Sequence, residues 1–78
     1  MNKKQKIQQV RLSDIIENVM AYVCYGCDKD GKQYIQCKNE LLKVADYEYF
    51  QSLGAEAKRL NEYRIRFWFP DNVKIVED

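Results

Sequence analysis

The segment "EYRIRFWF" (62–69) alternates without a break. Tyr63, Ile65, Phe67 and Phe69 fall on one side and Arg64, Arg66 and Trp68 on the other, the period-two signature of a strand with one face in a core. Pro70-Asp71-Asn72 closes the run, and "VKIV" (73–76) offers a short further strand before the acidic pair Glu77-Asp78.

A strand needs neighbours, and the chain supplies them upstream. "VMAYVCY" (19–25) and "QYIQCK" (33–38) are rich in β-branched and aromatic residues and flank the turn-forming "DKDG" (28–31). Asp30-Gly31 suits a tight connection because glycine accepts positive φ, so the three pieces read as a β-hairpin. The period then changes. Phe50, Leu53, Ala57 and Leu60 recur at helical intervals, which predicts a helix from Asp46 onward, with the Asp46 carboxylate placed to cap its first turn. Gly54 within that pattern either ends a first helical segment or admits a neighbouring helix. The N-terminal third fits two readings. Leu12, Ile15, Ile16, Val19 and Met20 have helical spacing, with Ser13 as a cap before Asp14, whereas Val10-Arg11-Leu12 also suits a strand.

The expected fold class is therefore α+β, in the order strand, turn, strand, helix, strand. One domain spans 1–78, with 18–78 as sheet plus helix and 1–17 as an extension. A chain of this size buries only about 60% of the surface its unfolded form exposes, so association with a second copy is the natural reinforcement.

Composition narrows the function classes. No apolar run approaches the ~20 residues of a membrane-spanning helix. The basic start "MNKKQK" does not lead into an uninterrupted apolar stretch, and the cysteines are odd in number, so the chain reads as cytoplasmic with reduced thiols. Net charge is +1, yet its sign varies. Residues 1–20 carry Lys3, Lys4, Lys6 and Arg11 against Asp14 and Glu17. Over 28–56 the acids Asp28, Asp30, Glu40, Asp46, Glu48 and Glu56 outnumber the lysines. That balance argues against the middle of the chain gripping phosphates, and the basic start reads as a solvated end.

Cys24, Cys27 and Cys37 form a C-x-x-C pair plus one, with no histidine to complete a four-ligand zinc site. The pair precedes a turn and not a helix, unlike a redox motif, so Cys24 and Cys37 read as small apolar residues on facing strands and Cys27 as a loop thiol. Without histidine, a glycine-rich phosphate loop or a serine in nucleophile context, no catalysis is expected. Asp46 and Glu48, two apart on a helix, do not face each other as an acid–base pair. No metal and no cofactor are expected.

Two motifs in order, "DGKQY" (30–34) and "ADYEYF" (45–50), resemble the small uracil-DNA glycosylase inhibitors of Bacillus phages, over about residues 20–69. The resemblance implies a three-stranded antiparallel sheet with one helix between its second and third strands, assembled as a homodimer. It also implies a partner, the host uracil-DNA glycosylase, and no direct contact with nucleic acid or membrane. Such an enzyme extrudes its target nucleotide and fills the gap with an apolar wedge residue. An inhibitor must offer that wedge a dry pocket, worth about 1.5–3 kcal/mol for a Leu- or Phe-sized side chain. It must also place a carboxylate where the enzyme's amides and hydroxyls receive DNA phosphate.

By this resemblance Glu48 matches the critical acidic position and becomes the phosphate mimic, and Tyr47 matches an aromatic that lines the pocket. Where the family has a tyrosine before a glycine, Leu53 precedes Gly54, while gapless counting sets Gln51 at the tyrosine; Tyr49 or Phe50 then supplies the ring. Asp46 heads the helix, and Gln36 falls where the family carries an acid on its second strand. A rival reading gives Arg64, Arg66 and Trp68 a nucleic-acid-binding role on one strand face, with arginine and indole meeting phosphate and base.

Overall fold

A computed structural model describes residues 6–78; Lys3 and Lys4 of the basic start lie outside the described residues. The elements run β1 (Gln8–Arg11), α1 (Leu12–Asn18), β2 (Tyr22–Cys27), β3 (Gln33–Lys38), a 3₁₀ turn (Asn39–Leu41), α2 (Val44–Ser52), β4 (Glu56–Arg59), β5 (Arg64–Trp68) and β6 (Val73–Val76). The fold is α+β, as expected. Its main sheet has four antiparallel strands in the order β2-β3-β5-β4, not three, and β1 pairs in parallel with β6 in a second, two-stranded sheet. Both readings of the N-terminal third hold, a strand followed at once by a helix.

The hairpin forms where "DKDG" places it. Asp28 Oδ1 accepts from the amides of Asp30 and Lys32, both at 2.9 Å, and Gly31 takes φ +84°. The first strand starts later than its composition suggested, because Val19 closes α1 by donating to Ile15 O and Tyr22 folds back onto Val19 O. Val23 is an extra residue: Tyr22 faces Cys37, whereas Cys24 faces Gln36.

Helix α2 is shorter than the sequence pattern predicted. Gly54, at φ +80°, donates to Gln51 O at 2.9 Å, and Ala55 donates to Phe50 O at 3.0 Å, the paired bonds of a Schellman stop. Gly54 therefore ends the helix. Ala57 and Leu60, expected on its buried face, instead lie in β4 and the loop after it, both exposed. Asp46 is not the N-cap but sits one turn in, where its carboxylate accepts from the Lys43 amide at 3.0 Å. Ser13 likewise lies inside α1; the Asp78 carboxylate caps that helix, accepting from Ser13 N at 3.3 Å and Ser13 Oγ at 2.7 Å.

One face of the main sheet carries the core. Ile35 and Cys37 of β3 and Ile65 and Phe67 of β5 point toward α2, where Phe50 stacks on Phe67 with centroids 4.2 Å apart. Ile15, Val10, Val73 and Ile75 bring α1 and the small sheet into the same cluster. Gln33 joins the two sheets. Its side-chain amide accepts from Ile75 N at 2.9 Å and donates to Ile75 O at 3.1 Å and to Tyr25 OH at 2.6 Å. Tyr63, expected among the buried residues of β5, precedes the strand and is 60% exposed.

Candidate functional site

Seven of the eight expected partner-binding residues belong to α2 or its C-cap, and the helix sorts them by face. Asp46, Phe50 and Leu53 are buried. Phe50 is wholly inside, against Phe67 and Phe69, so its ring anchors the helix and is not itself a contact surface. Tyr47 is half-buried with its ring edge-on to Phe67 at 5.7 Å. Tyr49 is half-buried against Phe50 at 5.4 Å, and burial, followed by the nearby Asp14 charge, pushes its phenol above the ordinary range.

Glu48 and Gln51 face solvent. The residues three and four positions from Glu48 are Val44, Ala45, Gln51 and Ser52, so no cation stands at helical spacing. Among the described residues Glu48 has no ion pair or hydrogen-bond partner. Val44, one turn before it, is 74% exposed, and Leu41 is 38% exposed. Asn39 N donates to Tyr63 O at 2.9 Å, which brings the loop carrying exposed Leu60 and Tyr63 beside the turn that carries Leu41. The solvent side of α2 thus presents a free carboxylate next to apolar side chains.

Gln36 is not part of that surface. It alternates with Ile35 and Cys37, so it points to the opposite face of the sheet, where its Oε1 accepts from Arg66 Nε at 3.0 Å. That outer face carries three cross-strand rows. Lys38 stands opposite Arg64; Gln36, Arg66 and Lys58 align next; then Gly26, Tyr34, Trp68 and Glu56. The Arg66 guanidinium lies 4.0 Å from the Tyr34 ring centre and 5.7 Å from that of Trp68, and the two rings are 4.8 Å apart. Tyr34 also covers Gly26 so closely that a Cβ there would meet its hydroxyl at 2.5 Å. Trp68 edges a shallow depression of about 260 Å³ with Lys32, Lys58, Asp28 and Glu56.

The rival reading named Arg64, Arg66 and Trp68 here. It missed Tyr34, Lys38 and Lys58, which the register of β3 and β4 brings alongside. Of the middle segment's acids, Asp46 is buried and Glu48 is on α2, whereas Glu56 belongs to the three rows and Asp28 borders the Trp68 depression.

Cys24 and Cys37 lie on adjacent strands, as read, but on opposite faces of the sheet; Cys27 is exposed at the end of β2. Burial, then the charge of Asp46, pushes the Cys37 thiol up to about 12, so it is protonated at neutral pH. Among the described residues no group of three or more Cys, Asp or Glu is placed to hold a metal ion, and no helix is long and apolar enough to cross a membrane. Comparison with protein-family models, curated proteins and solved structures returns no match.

Proposed function

We propose that the chain is a stoichiometric protein inhibitor of uracil-DNA glycosylase in the host cytoplasm, acting as a homodimer that occupies the enzyme's DNA-binding face. The observation that carries the reading is Glu48, an exposed carboxylate on α2 with no ion-pair partner among the described residues, flanked by Tyr47 and exposed Val44. By the resemblance it matches the position of the inhibitor family's phosphate mimic, and it lies on the helix that follows the "DGKQY" hairpin.

A carboxylate without an internal partner keeps all its acceptor sites for the enzyme's amides and hydroxyls. In this reading the apolar margin of Leu41, Val44 and Tyr47 receives the wedge residue, and pairing with a second copy closes the pocket over it. Gln36, turned to the far side of the sheet, takes no part in that contact.

The test is excision of uracil from an oligonucleotide by purified glycosylase, titrated with the chain. Activity should fall in proportion to added protein, and undiminished cleavage under excess protein would reject the proposal. Glu48→Gln, which keeps shape and removes charge, should weaken inhibition by about 1.5–3 kcal/mol, the value of a hydrogen bond to a charged group. Lys43→Gln, exposed at the N-cap of the same helix, should change little.

A further inference from the structure

The geometry points to a second binding site, for single-stranded nucleic acid, on the outer face of the main sheet: bases stack on Trp68, and phosphates follow Lys38, Arg64 and Lys58. This site lies across the sheet from α2 and does not depend on the inhibitor reading.

Like charges directly across strands repel and destabilise a sheet. The register nevertheless sets Lys38 opposite Arg64 and Lys58 opposite Arg66. Glu56 is the nearest carboxylate along β4, on the same face as Lys58, yet it forms no ion pair: among the described residues the single ion pair is Arg11 with Asp78, elsewhere on the molecule. Glu56 ends the aromatic row, and Asp28 commits its Oδ1 to the amides of its own turn. A polyanion would relieve the repulsion of both pairs at once.

The aromatic row adds the second requirement. Tyr34 and Trp68 are only half-buried. Arg66 covers Tyr34 and is fixed through Nε on Gln36; its terminal amino groups find no acceptor among the described residues. The indole of Trp68 borders the depression with Lys58 and Lys32 on its rim, so a base can stack while its phosphate meets a lysine. Cations beside a half-buried indole fit an unpaired strand, whose bases are free to stack, better than a duplex, whose bases are not.

Trp68 is the chain's one tryptophan, so its fluorescence reports this face alone. Labelled oligothymidylate and oligouridylate are titrated into the chain without glycosylase, reading label anisotropy and Trp68 emission. Saturable binding of either, with Trp68 quenching, supports the site. With three phosphates engaged, raising salt from about 50 to about 200 mM should weaken binding roughly 20-fold. Lys58→Gln, at an exposed position that leaves the core untouched, should flatten the salt slope by about 0.7. Lys43→Gln, across the sheet, should leave it unchanged. Absence of binding at low salt, equal losses in the two variants, or equal binding of duplex without Trp68 quenching would each overturn the site.

Discussion

Gln33 uses its side-chain amide as a strand would use a peptide, pairing both donor and acceptor with Ile75 while a third bond holds Tyr25. Within "QYIQCK" it reads only as a polar residue at a strand start, because its partner lies 42 positions away. Gln33→Leu should cost about 1–3 kcal/mol, since it leaves the Ile75 groups and the tyrosine hydroxyl partly unsatisfied. Urea unfolding measures this, and an unchanged midpoint would show that the bridge contributes nothing. Gly54 left two readings open in the sequence, a helix stop or a close approach of a second helix, and its positive φ decides for the stop. Gly54→Ala should cost about 1–2 kcal/mol through positive φ. In the same unfolding measurement it should therefore also lower the midpoint, and its Cβ would press on Pro70 Cγ at 3.3 Å.

Among the elements, β5 was legible because one face is buried and the other is not, Ile65, Phe67 and Phe69 being the alternating signal itself, and the β2–β3 hairpin was legible from the turn between two β-rich runs. β4 was not. All four of its side chains are exposed, so "EAKR" carries no alternation, and only its backbone pairing with β5 makes it a strand. The helical periodicity that ran through Ala57 to Leu60 was coincidence past the Gly54 stop. The β1–β6 pair was hidden for another reason, since parallel partners at opposite ends of a chain leave no local mark. Asp78 fastens that region by accepting from Ser13 and pairing with Arg11 at 2.9 Å. The Ser13 hydroxyl first, then Arg11, holds the Asp78 carboxyl below its ordinary value. A carboxyl that binds its proton less readily in the folded chain stabilises the fold above the ordinary carboxylate range, and that contribution fades as pH falls through this range. Asp78→Asn should therefore reduce the loss of stability between neutral and acid pH, measured by urea unfolding at each. An identical pH profile would show the cap to be energetically silent.

At the scale of the molecule, the sheet separates two surfaces of opposite character. The α2 side shows a carboxylate beside apolar groups, and the outer side shows cations beside rings. The first could be read along the chain, because Tyr47 and Glu48 are neighbours on one helix. The second could not be read from charge balance, because Lys38, Lys58 and Arg64 come from three strands and meet only through register. The proposed inhibition requires two copies of the chain to take the place of DNA on a uracil-DNA glycosylase. Sedimentation velocity of the enzyme with excess chain should show one new species with the mass of an enzyme plus two chains, unable to take up uracil-containing duplex. Enzyme and chain sedimenting apart, or a complex that still binds the duplex, would contradict it.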